Sequence, residues 1–244
     1  MSAFEALAPG KVNLALHLGE RREDGLHELV SLTQAVSLAD FLTLEPAGDD
    51  ADRDEVVCAG VEGPNLAAEA LAAYRSASGW DAPPQRLTID KHVPVAAGMG
   101  GGSSDAAAAL RLAAAAAGRP ADPLLEELAP RLGSDVPSLL RPGLALVSGT
   151  GEEVRLLPAL GQYRLLVLPL GVALSTAAVF AEADRLGLAR PAPELAERRL
   201  QIEAAVGEGK EPPLELIHND LEPAARSLCP AIDGALAAAR DAGA

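Results

Sequence analysis

The chain has 244 residues, 49% of them hydrophobic and only 2% aromatic, with a formal net charge of -15. It is long enough for one large domain or two modest ones around a core of aliphatics and alanine. That acidity argues against a nucleic-acid partner, whose affinity needs clustered Lys and Arg, and the scarcity of aromatics argues against a stacking platform for single strands.

An anionic small substrate must therefore be held by a local group of donors. No apolar run approaches the roughly 18 residues that span a bilayer, and the opening MSAFEALAPGK has no basic-then-apolar leader. Cys58 and Cys229 lack metal-ligand spacing and read as reduced thiols. The expectation is a cytoplasmic protein without a membrane partner.

In chain order, Val12 to Leu18 alternates, with Val12, Leu14, Leu16 and Leu18 on one face and Asn13, Ala15 and His17 on the other. This predicts a half-buried strand, with Lys11 leading its polar side. A polar turn, Arg21 to Glu28, feeds the apolar run Leu29 to Leu38, and His27 stands where the turn becomes regular structure. Residues 47 to 55 read as an acidic loop. Asn65 is placed to cap a helix in which Leu66, Ala70, Leu71 and Tyr74 share a face, and Gly79 is placed to stop it. Strand character returns from Leu87 to Val95.

There the chain reaches its most informative stretch, PVAAGMGGGSSDAA, from Pro94 to Ala107. Gly98, Gly100, Gly101 and Gly102 carry no β-carbons, so their backbone N–H groups can close on an anion at the positive end of the following helix. That helix is expected from about Ser104 to Ala117. The G-x-x-x-x-G-K-[ST] phosphate loop is absent, because no lysine lies between Lys91 and Lys210. The dinucleotide fingerprint G-x-G-x-x-G meets Ser103 in place of its third glycine.

A second helix, Pro123 to Leu132, ends in Gly133-Ser134-Asp135-Val136-Pro137. Asp135 is there either an Asx turn or cap, or a rigidly set functional carboxylate. Strands are expected at 143 to 148 and 163 to 169, with the turn at 149 to 151 a domain boundary. The rest is helical, capped at Ser175 or Thr176 and reopened at Pro230.

PGKVNLAL at 9 to 16, the glycine-serine loop and GSDVPS at 133 to 138 resemble the superfamily of galactokinase, homoserine kinase, mevalonate kinase and phosphomevalonate kinase. DGLHELVS at 24 to 31, STAAVFAEAD at 175 to 184 and HNDLE at 218 to 222 resemble, more narrowly, its branch that phosphorylates a CDP-linked methylerythritol on the non-mevalonate route to isoprenoid precursors. The resemblance implies a two-domain α/β (α+β) fold. Residues 1–151 would form an ATP-binding domain like the second domain of ribosomal protein S5, and 152–244 a ferredoxin-like substrate-side domain, with the active site in the cleft between them.

It also implies roles. Asp135 would accept the hydroxyl proton with Lys11 beside it, the ammonium offsetting charge on the transferred group. Pro94, Gly98, Gly100, Gly101, Gly102, Ser103 and Ser104 would hold the triphosphate of ATP, with Mg2+ bridging its oxygens. Asn65 would lie near the adenine, His27 would hydrogen-bond the cytosine, Phe180 would stack on it, and Asn13 would touch the polyol.

Two departures stand out. Leu26 occupies the position where the branch has a tyrosine, the second face of a cytosine sandwich. After the last helix, the branch continues into a further glycine- and serine-rich segment and final strands, so the second domain is expected to be incomplete. Another small-molecule kinase of the superfamily, or a nucleotide-binding protein without catalysis, stays open as an alternative.

Overall fold

A computed structural model describes residues 3–161, 164–207 and 212–243. The chain is mixed α/β, and it folds into two compact units that are each discontinuous in sequence. Unit one comprises Met1–Val12, Ala35–Val95 and Met99–Gly143; unit two comprises Asn13–Gln34, Ala96–Gly98 and Leu144–Ala244.

Two long antiparallel-capable strands open the chain, β1 (Phe4–Arg21) and β2 (His27–Pro46), and they pair with each other. In unit one, the C-terminal half of β2 pairs antiparallel with β4 (Gln85–Asp90), Phe41 opposite Asp90 and Pro46 opposite Gln85. The short β3 (Glu55–Cys58) lies parallel to β4. Three helices pack together: α1 (Leu66–Ser78), α2 (Gly101–Ala116) and α3 (Leu124–Leu132), followed by the single turn α4 (Val136–Leu139). Leu42, Leu44, Leu71, Tyr74, Leu87 and Leu110 are fully buried there, and the alanines from Ala106 to Ala109 let α2 approach its neighbours closely.

The expected caps on α1 form. The Asn65 side chain accepts from the Ala67 N–H at 2.9 Å, and Gly79 closes the helix with φ 64°. Helix α2, however, starts at Gly101 instead of Ser104, because Gly100 takes a left-handed φ of 65° and becomes the residue before the first turn. Strand β4 stops at Asp90 instead of Val95. The Asp40 carboxylate takes the N–H groups of His92 and Val93, at 2.6 and 2.8 Å, that a longer strand would give to a ladder.

In unit two, the N-terminal half of β2 pairs antiparallel with β5 (Leu144–Gly149), which pairs with β6 (Glu153–Leu157) through a turn at Gly149 to Gly151. Helices α5 (Thr176–Leu186), α6 (Ala192–Gly207), α7 (Glu222–Leu228) and α8 (Ala231–Asp241) follow. Ser175 caps α5 by accepting from the Ala178 N–H at 3.1 Å.

Two further sequence expectations are corrected. The stretch from Ala15 to Gly19 is buried on both faces: Ala15 joins Val30, Leu32 and Leu146, while Leu16 and Leu18 meet Ala183 of α5 and Ala224 of α7. The alternation looked half-exposed because it could not show helices arriving from far downstream in the chain. The strand expected at 163 to 169 also fails to form across its described residues, 164 to 169, which find no ladder partner; Tyr163 lies outside the described residues. Leu165, Leu166 and Leu168 stand exposed.

Candidate functional site

Unit one gathers the first group of expected residues around the start of α2. An α-helix leaves its first N–H groups without intrahelical partners, and here the Ser104 N–H is the first to turn back, onto the Gly100 carbonyl at 2.8 Å. The N–H groups of Gly101, Gly102 and Ser103 are thus the donors left at the helix's positive end. Gly102 is exposed, and a Cβ built on it would meet no atom within 4 Å. The approach is open to an anion. Upstream, Ala96 and Gly98 share the left-handed backbone of Gly100, with φ of 58° and 72°.

The Lys11–Asp135 pair packs against this turn. Lys11 Nζ lies 3.3 Å from Asp135 Oδ2, with the lysine side chain 7% exposed and the aspartate 41%. Each is fixed by its backbone. The Lys11 N–H donates to the Met99 carbonyl at 2.8 Å, and Asp135 precedes α4 with no side-chain capping bond, so its carboxylate is left for Lys11. Asp135 thus stands at the cap position of α4 without making the side-chain bond of a cap.

Gly100 makes the contact possible. A Cβ there would sit 3.1 Å from Lys11 Cε and Cγ and 3.6 Å from Asp135 Oδ2, on a backbone that side chains rarely adopt. Around Gly133 the contacts are looser, its Cβ position lying 3.6 Å from Val136 and 3.9 Å from both Leu66 and the Ser103 hydroxyl. The starts of α1, α2 and α4 therefore converge at Gly133. Asn65, the cap of α1, belongs to this group through its neighbour Leu66, and Pro94 lies half-buried on the segment entering the turn.

Unit two holds the other expected residues. His27 and Phe180 come together, their ring centroids 5.5 Å apart and tilted by 39°. His27 Nδ1 donates to the Gly19 carbonyl at 3.0 Å, since a carbonyl can only accept. Its Nε2 lies 3.0 Å from Asp184 Oδ1. Asn13 accepts from the Thr33 hydroxyl at 3.4 Å. Leu26 is exposed.

Sequence reasoning passed over several residues that the structure makes prominent. Asp184 was within a quoted motif without a role. Lys91 bridges Asp40 and Asp105 inside unit one, and Arg190 grips Asp220 inside unit two. The available signal was charge in apolar company: Asp40 in SLADFL and Asp105 at the head of an alanine run.

The class is that of the GHMP kinases, whose N terminal domain family matches residues 65–143, from the cap of α1 to the residue before β5. A protein of Mycolicibacterium gilvum named 4-diphosphocytidyl-2-C-methyl-D-erythritol kinase is 41% identical, over 97% of this chain and 75% of its own length. A Streptomyces coelicolor protein of the same name is 40% identical, over 97% and 80%. The crystal structure of a 4-(cytidine 5'-diphospho)-2C-methyl-D-erythritol kinase superimposes with a TM-score of 0.67 at 34% identity, covering 95% of this chain and 81% of that one. The chain belongs to the 4-diphosphocytidyl-2-C-methyl-D-erythritol kinase family.

Proposed function

We propose that the chain transfers the γ-phosphoryl group of ATP to the 2-hydroxyl of 4-diphosphocytidyl-2-C-methyl-D-erythritol, releasing ADP. The observation that carries this reading is Gly100, which seats the Lys11–Asp135 pair against the helix turn whose N–H groups are unspent. Phosphoryl transfer asks little covalent chemistry of a protein and much positioning and charge. The N–H groups of Gly101 to Ser103, with Pro94, Gly98 and Asn65 as further contacts, hold the nucleotide, whereas the expected Ser104 does not, being 1% exposed with its N–H given to Gly100. Asp135 accepts the hydroxyl proton as the substrate oxygen bonds to the γ-phosphorus and the bond from that phosphorus to the ADP oxygen breaks. Lys11 offsets the charge growing on the transferred group.

The site's donor set fits a magnesium ion that arrives on the phosphates. Backbone N–H groups do not ligate metal, and among the described residues no three His, Cys, Asp or Glu side chains converge to hold one. Bound on phosphate oxygens, magnesium would neutralise their charge.

Phe180 stacks on the cytosine in this reading and Asn13 meets the polyol, while His27, whose ring is buried with Nδ1 on the Gly19 carbonyl and Nε2 against Asp184, backs the Phe180 ring instead of reaching the base with a ring nitrogen. One aromatic wall is supplied, by Phe180, and Leu26 covers the other side by apolar contact. Cys58 and Cys229 are free thiols, as suits the cytoplasm proposed for the protein, and no described helix is long and apolar enough to cross a membrane. ADP release measured with the CDP-linked polyol, mevalonate and homoserine tests the assignment. We expect a clear preference for the cytidine compound; equal or greater turnover of either alternative overturns it.

A further inference from the structure

Inside unit one, a buried cluster of charge takes no part in the chemistry above. Lys91 Nζ donates to Asp40 Oδ2 at 2.5 Å and to Asp105 Oδ2 at 2.8 Å, with Asp40 fully buried and Asp105 4% exposed. The two carboxylates are not equally served. Asp40 also accepts the His92 and Val93 N–H groups on its other oxygen, whereas Asp105 Oδ1 is buried with no hydrogen-bond partner. The groups facing Asp105 are Asp40 from β2, Lys91 from the segment after β4 and the Cys58 thiol of β3, which burial keeps protonated.

Two carboxylates against one ammonium leave an excess negative charge when both are ionised. Its location matters. Asp105 sits one turn into α2, and Lys91 Nζ lies 3.2 Å from the Cβ position of Gly101, the first residue of that helix. The cluster thus lies behind the turn whose N–H groups meet the phosphates, with the Lys91 ammonium nearest Gly101 and Asp105 one turn further along α2, and like charges disfavour one another in a poorly solvated setting.

We propose that nucleotide binding at the first turn of α2 is coupled to the uptake of a proton by Asp105. This rests on the nucleotide reading above. Arrival of an anion raises the work of keeping Asp105 ionised, and the proton comes from solvent to its unpartnered oxygen. Asp105 takes it because Asp40 has three donors to keep it charged. Burial pushes the Asp105 carboxyl up to about 7, partly opposed by Lys91. Burial also raises Asp40, but the hydrogen bonds from Lys91, Val93 and His92 outweigh it and leave the group below the usual carboxylate range. By linkage, nucleotide affinity falls as pH rises through neutrality.

Calorimetric titration of the full chain with MgADP, at pH 7.5 in buffers of differing ionisation heat, tests the coupling. The parent is expected to take up a fraction of a proton that Asp105→Asn does not, and its affinity to fall up to about tenfold between pH 6 and 9 while the variant stays flat. Equal uptake by parent and variant, or none by the parent, overturns the proposal. Should Asp105→Asn fail to fold, Asp105→Ser serves in its place, and zero uptake by the parent is decisive alone. No MgADP binding at any pH overturns the nucleotide reading itself, whereas binding without differential uptake removes only the coupling.

Discussion

The two units treat charge in opposite ways. In unit two, Arg190 lays its guanidinium across Asp220, Nε to Oδ2 and Nη2 to Oδ1 both at 2.6 Å, and the Leu18 N–H adds a third donor at 2.9 Å. Backbone bonds from Leu16 to His218, Asp220 to Leu16 and Arg190 to Leu18 stitch the same segments onto β1. The fork fills both carboxylate oxygens, so burial of Asp220 is outweighed and its carboxyl stays below the usual range. In unit one, a lysine shared between two aspartates leaves one oxygen of Asp105 empty, and Asp135 stands 41% exposed beside Lys11. A planar cation seals its partner; a point cation leaves one free to titrate.

The contrast predicts opposite phenotypes for similar changes. Asp135→Asn should cut turnover by about 10²- to 10⁴-fold while leaving nucleotide affinity and the unfolding midpoint nearly unchanged. Steady-state kinetics beside a urea melt reads both, and equal turnover by parent and variant removes Asp135 from the chemistry. Asp220→Ala should do the reverse, costing about 1–3 kcal/mol of stability because it leaves the buried Leu18 N–H without its carboxylate and the half-buried Arg190 with Glu194 alone, as measured by denaturant unfolding. A loss under about 1 kcal/mol would mean that the fork contributes little beyond the backbone stitching.

Stability against pH sharpens the comparison. The folded protein holds the Asp105 proton more tightly than the unfolded chain does, so this group's contribution is complete below the ordinary 3.8 and is lost as pH rises through about 7. His17 in unit two works in the other sense. Burial lowers its pKa, partly offset by Asp220, so the neutral ring is favoured and stability falls as pH drops below the ordinary 6.5. Asp105→Asn should therefore gain stability relative to the parent between pH 5 and 8, and an unchanged difference across that range contradicts the assignment. The smallest effect expected is from Asn65→Ala, about 1 kcal/mol for the lost cap, seen as a lower melting temperature.

Much of this was legible in the sequence where the signal is local. Asn65 and Gly79 bracket α1 as read, because caps and stops act over one turn, and Ser175 does the same for α5. The pairing of Lys11 with Asp135 came from motif resemblance, since their separation in sequence says nothing about contact. What stayed hidden depends on distant partners. The burial of His17 needs helices from far downstream, and the earlier start of α2 needs the left-handed Gly100, which a glycine-rich string permits without specifying. The Asp40–Lys91–Asp105 cluster joins three segments, and although Asp40 and Asp105 each stand in apolar company, nothing local says that one lysine serves both.

The most direct test is a structure of the chain with a non-hydrolysable ATP analogue bound. Phosphate oxygens within hydrogen-bond distance of the Gly101, Gly102 and Ser103 N–H groups, with the γ-phosphorus next to Lys11 and Asp135, are the predicted result. A triphosphate seated elsewhere, leaving that helix start and the Lys11–Asp135 pair unvisited, would contradict the account at its root.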